Sequence, residues 1–157
     1  SKRQLDRSTK SHNTICIDGL DSSEIWGGFR VAKRARVNNI KQTKNQIEAS
    51  HSGFKKIGAI HKRKFKQLNG LFIIEDYIDS KKDHKIESYL HFHPNCNVTH
   101  HENTLKIGSD IKIIYNNYID LFLEQYRYNL GFNKVIQSQR IRALVNKYSK
   151  IEIYYEN

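Results

Sequence analysis

Eight histidines in 157 residues give this chain its most reactive side chains. His91 and His93 stand two apart in "LHFHP", so they share one face of a strand, and His100, His101 and Glu102 follow. Imidazoles grouped in this way can bind zinc, although a strand ending at a turn with histidines at its rim accounts for them more simply. His12 opens a run of alternating apolar residues, "HNTICID". An imidazole on a sheet makes a stiff metal ligand only where two or three partners converge on it. His51 in "SHSGF" and His61 in "IHKRK" are possible neighbours across hairpins. Nine tyrosines add further acids or bases. The chain contains no nucleophile elbow, phosphate loop, dinucleotide fingerprint or HExxH zinc motif.

The positive charges form a second group. The formal net charge is +11; residues 1–66 hold 16 Lys and Arg against 5 Asp and Glu, while residues 67–157 hold 11 of each. So one-sided a distribution points to a polyanionic partner, whether nucleic acid, an acidic membrane surface or an acidic polysaccharide. Arg30, Arg34 and Arg36 have the parity of one strand face, and at 3.3 Å per residue they would span about 20 Å. Lys62, Lys64 and Lys66 share a face of a later strand. Together these residues could form a track for an anionic polymer, since guanidinium groups pair well with carboxylate and sulfate. Singly, each is also an ordinary solvated residue that keeps a sheet from aggregating.

The elements that must position these groups read as strands. Apolar alternation of period two runs through "TICID", a continuous strand from Ile25 to Val37, a polar hairpin in "RVNNIKQTKNQIEAS", then "AIHKRKFKQL", "LFIIEDYID" and "HKIESYLHF" before Pro94. "TLKIGS" and "IKIIYNN" read as short strands. "YIDLFLEQYRYN" and "KVIQSQRIRALVNKY" fit helix or strand by period, with β-branched and aromatic residues favouring strand, and "KIEIYYEN" alternates as a final strand. About ten strands at hairpin spacing, without crossover helices, predict an all-β, antiparallel β-sandwich of two stacked sheets forming a single domain over residues 1–157. No apolar run approaches the roughly 20 residues needed to cross a bilayer as a helix. Cys16 and Cys96 match no metal or redox spacing and read as free thiols, or as one disulfide in an oxidising compartment.

The order of segments carries a resemblance. "RSTKSHNTICIDGLDSSEIWGGFRVAKRARV", "ASHSGF", "IHKRKF", "LFIIEDYI" and "LHFHPN" together resemble the carboxyl-terminal β-domain of the heparinase II/III family of polysaccharide lyases. Its T-x-x-HNT strand and DG-x-x-S turn are matched by Thr9, His12, Asn13, Thr14, Asp18, Gly19 and Ser22. The resemblance implies a larger lyase in which a helical toroid precedes the sandwich, and a cleft between them where uronate-containing glycans such as heparin or alginate are cleaved by β-elimination. It implies that His12 is one ligand of a metal, zinc or another divalent ion, whose other ligands lie upstream. It implies catalytic residues outside this chain, an inactive fragment, and a periplasmic or secreted location. Acidic polysaccharide would then be the partner of Arg30, Arg34, Arg36, Lys62 and Lys64.

Two alternatives remain at this level. A nucleic-acid-binding β-module could use the basic half for phosphate and Tyr115, Tyr118, Tyr126 and Tyr128 for stacking, although aromatics are sparse where charge is densest. A non-catalytic carbohydrate-binding or interface module would share the same surface.

Overall fold

The computed structural model describes residues 2–131 and 134–156. A short helix, α1 (Lys2–Arg7), and a 3-10 turn (Thr9–Ser11) lead into β1 (Ile15–Ile17). A small hairpin follows, β2 (Glu24–Trp26) and β3 (Arg30–Ala32). Next come β4 (Val37–Thr43), β5 (Gln46–His51), β6 (Ala59–Leu68), β7 (Leu71–Ser80), β8 (Ile86–His91), β9 (Val98–His101) and β10 (Thr104–Ile107). The chain closes with two long strands, β11 (Ile111–Gly131) and β12 (Lys134–Tyr155).

The long hairpin organises everything else. β11 and β12 pair from Ile111↔Tyr155 to Gly131↔Lys134. On its other edge β12 serves two neighbours: Tyr148–Tyr154 pair with β7, and Arg140–Val145 pair with β8. One half of the hairpin thereby continues the order β4-β5-β6-β7-β12-β11-β10-β9, and the other half carries β8 and β1. Register shifts at Asn116–Tyr118 and Tyr118–Asp120, with Asn117 at φ +61°, mark where the hairpin bends from one layer into the other. Bulges bend and over-twist a strand in this way, and so let one strand join two sheets.

The inner faces meet in one apolar cluster. Ile15, Ile17, Ile86, Leu90, Ile141, Ala143 and Val145 come from the β1–β8 side; Ile74, Ile78, Leu105, Ile113, Tyr115 and Ile151 come from the other. Period-two patterning explains the choice, because Ile141, Ala143 and Val145 share one strand face and the intervening residues point outward.

The all-β antiparallel sandwich expected from the sequence is therefore the fold. The sequence-based segmentation differs in three places. The continuous strand expected over 25–37 is broken: Gly27 (φ +42°) and Gly28 allow the chain to reverse between β2 and β3, and Lys33 (φ +43°) ends β3. Arg34 and Arg36 thus lie outside the strand that holds Arg30. "IKIIYNN" and "YIDLFLEQYRYN" fuse into β11, and the last two segments fuse into β12, because each is paired along its length by the other. Helix α1 was not anticipated; its six residues carry little periodic signal.

Ile141 is fully buried in β12, opposite Leu90 of β8 and Leu123 of β11. Ile141→Ala is expected to cost about 2–5 kcal/mol, read as a lowered urea midpoint at unchanged slope.

Candidate functional site

The HNT segment lies between the 3-10 turn and β1, and hydrogen bonds fix most of its motif residues. Thr9 is buried; its N–H donates to Asp21 Oδ1 (2.6 Å), and its Oγ1 accepts from Ser22 N–H (2.9 Å). Asn13 Oδ1 accepts both the backbone N–H (2.8 Å) and the Nδ1–H (3.0 Å) of His91. Asp18, at φ +52°, accepts from His84 Nδ1 (2.7 Å) and Lys85 N–H (2.9 Å), and the His84 bond holds its carboxyl below the usual range. His12 is different. It is exposed at a pocket of about 320 Å³ beside Arg7, Thr14, Asp21 and Ile25, and no described side chain hydrogen-bonds its ring.

Beneath this segment lies a polar chain that sequence reasoning did not assemble. His51 and His61 are directly opposed across β5 and β6, and Arg63 and Asp76 across β6 and β7. Gly53 N–H donates to His51 Nδ1 (3.1 Å), so the ring proton of His51 sits on Nε2 and is donated to His61 Nδ1 (3.0 Å). The His61 proton is then on Nε2 and goes to Asp76 Oδ1 (2.6 Å). Arg63 forks onto the same carboxylate, Nε to Oδ1 (2.7 Å) and Nη2 to Oδ2 (2.9 Å), while its Nη1 donates to the Asn13 carbonyl. Asp76 is 1 % exposed. Burial alone would raise its carboxyl, but the His61 hydrogen bond and the Arg63 charge more than offset that and hold it below the usual range. Burial, with the charge of Arg63 adding, lowers His51 to about 4. The chain ends against a glycine for a steric reason: a Cβ on Gly53 would lie 2.6 Å from the Ser22 carbonyl and 2.9 Å from His51 Nδ1. The "SHSGF" and "DSS" segments are therefore in direct contact.

On the outer face of the β8 layer lies a second network, which Lys10 ties to the turn before His12. Buried Glu87 pairs with Lys85 (3.2 Å), Lys10 (3.6 Å) and Arg142 (3.6 Å); Glu124 pairs with Arg142 (2.6 Å) and Arg140 (3.1 Å). Arg140 lies over Tyr89, and His91 meets Tyr126 edge-on. Burial, with Arg140 and His12 opposing a further charge, lowers His91 to about 4.

The expected anion track divides into two kinds of residue. Lys62, Lys64 and Lys66 do share one face of β6, but Lys62 faces Glu48 (3.9 Å) and Lys64 faces Glu75 (3.4 Å), and both approach the Tyr77 ring. Arg30, Arg34 and Arg36 are exposed, and among the described residues no carboxylate lies within ion-pair distance of them. His93 and His101 are exposed and do not converge with His91 on a common point. Tyr115 is fully buried in the core and unavailable for stacking. Cys16 and Cys96 are both free, and burial raises the Cys16 thiol to about 11. Among the described residues no group of three or more His, Cys, Asp or Glu could hold a metal ion, and Asp21, beside His12, is already committed to Thr9. The residues present do not by themselves fit a metal centre.

The arrangement from the Thr9 turn into the second strand of the long hairpin falls within the Heparinase II/III-like, C-terminal family model, which matches residues 1–149. The chain belongs to this family. Its fold is similar to that of a solved heparinase III (TM-score 0.75, 15% identity, 98% of this chain and 25% of that one). It is also similar to the heparan sulfate lyase HepC from Pedobacter heparinus (TM-score 0.73, 16% identity, 99% of this chain and 26% of that one). This heparinase-type domain thus spans about a quarter of the length of the solved proteins it resembles. No curated protein matches it.

Two outcomes test the polar chain of this heparinase-type domain. Asp76→Asn leaves Arg63 without its counter-charge and should cost about 3–5 kcal/mol in chemical denaturation, with faster amide exchange at Asn13 and Thr14. His51 is neutral when folded and ordinarily titrates near 6.5, so the unfolded chain binds more protons between about 4 and 6.5. Stability should be fully present above that window and fall as pH drops through it; His51→Gln should flatten the slope of midpoint against pH.

Proposed function

We propose that this chain is the carboxyl-terminal domain of a polysaccharide lyase that cleaves uronate-containing acidic glycans, of the heparan or alginate kind, by β-elimination. The observation that carries the reading is the family match over residues 1–149, on a sandwich whose HNT segment is held rigidly at the surface. In this reaction a base takes the proton at C5, the electron pair forms the C4–C5 double bond, the C4–O4 bond breaks, and the departing oxygen accepts a proton from an acid. The uronate carboxylate must be neutralised as charge develops, a task for fixed cationic or hydrogen-bonding groups. The base and acid belong, in this proposal, to a helical toroid preceding the sandwich in the parent protein. The sandwich contributes one wall of the cleft, and the exposed arginines Arg30, Arg34 and Arg36 attract the polyanion. Lys62 and Lys64, with their acidic partners, contribute less.

Residues 1–157 act as one domain of that larger enzyme and have no lyase activity alone. A zinc or other divalent ion at His12 would need ligands from outside this chain, and no step is assigned to it. A bacterial periplasmic or secreted setting suits an enzyme acting on large extracellular glycans. Among the described residues no helix is long and apolar enough to cross a membrane.

The intact parent protein should release unsaturated uronate from heparan sulfate or alginate, followed by the ultraviolet absorbance of the new double bond. Residues 1–157 alone should release none. An intact parent that leaves every uronate polymer unchanged would remove the lyase reading.

A further inference from the structure

The β2–β3 hairpin stands apart from the ten-stranded sheet, and its composition is unusual for an unattached element. Trp26, the only tryptophan in the chain, is 41 % exposed, and Phe29 is 80 % exposed. Trp26 is directly opposed to Arg30, so the indole and the guanidinium leave the same face of the hairpin. The Arg3 guanidinium lies 3.8 Å from the centre of the Phe29 ring. Arg34 and Arg36 follow at once, exposed and without acidic partners among the described residues.

This hairpin is also held in place. Arg7 donates to the carbonyls of Gly28 (2.8 Å) and Arg30 (3.5 Å), and Ser23 Oγ accepts from Ala35 N–H (2.9 Å). Ile25 and Val31 are opposed on the inner face, and Ile25 forms part of the wall of the His12 pocket. Exposed aromatics on a fixed support, beside arginines that have no acidic partner among the described residues, have no role in the core. They suit a ligand with both flat apolar faces and fixed anionic groups. A pyranose ring offers its C–H face to an aromatic ring, and its carboxylate or sulfate accepts paired hydrogen bonds from guanidinium. The β4–β5 hairpin differs in that Lys41 and Lys44 are exposed there and the hairpin itself carries no Phe, Tyr or Trp.

We propose that the β2–β3 hairpin is a glycan grip, in which Trp26 and Phe29 stack on sugar rings of an acidic polysaccharide while Arg30, Arg34 and Arg36 bind its carboxylate or sulfate groups. The inference rests on the lyase-domain reading and adds to it a subsite beside the His12 pocket. Charge complementarity selects the ligand class, and the aromatic pair distinguishes a site from diffuse attraction.

The test is titration of the chain with heparan sulfate, with alginate as a carboxylate-only polymer, and with single-stranded poly(U), each at low and at physiological salt. Trp26→Ala/Phe29→Ala should weaken heparan sulfate binding about tenfold, equivalent to roughly 1.4 kcal/mol, without changing the salt dependence. Arg30→Ala/Arg34→Ala should weaken binding and reduce the salt dependence, whereas Lys41→Ala/Lys44→Ala should have less than about a twofold effect, as expected of charges outside the contact. Phe29→Leu, which keeps apolar volume without an aromatic face, should bind as weakly as Phe29→Ala and covers the case in which the double variant fails to fold. Aromatic variants that bind like the unaltered chain, or lysine variants that lose as much as the arginine variants, would overturn the grip while leaving the lyase-domain reading in place. Tighter binding of poly(U), lost selectively in the hairpin variants, would assign the hairpin to nucleic acid instead. No binding of either glycan by the unaltered chain would remove both the grip and the glycan-binding part of the lyase reading.

Discussion

The contact on which the arrangement depends is the pair of half-buried Arg63 and buried Asp76. It lies on the inner face of β6 and β7, where an ionised carboxylate is expensive to desolvate. Two guanidinium hydrogen bonds and one from His61 compensate the carboxylate. The remaining arm of Arg63 then crosses to the Asn13 carbonyl, at the entry to β1 in the opposite layer. Hydrophobic packing alone would hold the two layers together with little preference for their exact relation. A fork onto Asp76 and a third bond onto a backbone carbonyl specify that relation. Asn13 passes it on, because its side chain holds both the backbone and the ring of His91. His12 is thereby fixed between two tethered neighbours while its own ring stays exposed.

Electrostatics is distributed on the same logic. The chain carries a large positive excess, but much of its charge is consumed internally. Glu75 accepts from Tyr77 and Tyr148 and faces Lys64; Glu87 and Glu124 are shared among Lys10, Lys85, Arg140 and Arg142. These networks order the outer faces of both layers and offset part of their positive charge. The arginines of residues 30–36 lack such partners among the described residues, so their field is directed outward. Counting charges along the sequence therefore overstates the β6 lysines relative to the β2–β3 region.

Strand identity and the core-facing residues were legible in advance, because period-two alternation is local. "LFIIEDYID" reads as a core strand and becomes β7; the ambiguous "KVIQSQRIRALVNKY" resolves to strand, as its β-branched residues favour. The HNT and DG-x-x-S residues were legible as a motif, and His51 and His61 as possible neighbours. Strand continuity was less legible. Nothing local distinguishes two short strands from one strand of 21 residues whose partner residues lie up to 44 positions away. The break at Gly27–Gly28 has a local cause, two adjacent glycines that permit a reversal, which the alternation on either side conceals.

The sequence by itself determined the all-β class, the alternating faces, the basic asymmetry and the family motif, since each depends on residue type at fixed short spacing. Tertiary structure decided that His51, His61, Asp76 and Arg63 form one chain of donors and acceptors, and that Lys62 and Lys64 have acidic partners while Arg30, Arg34 and Arg36 have none among the described residues. Those outcomes depend on cross-strand register between segments far apart in the chain. A one-residue slip would turn the same side chains to the opposite face, so register selects which polar groups meet in the interior and which are left to solvent.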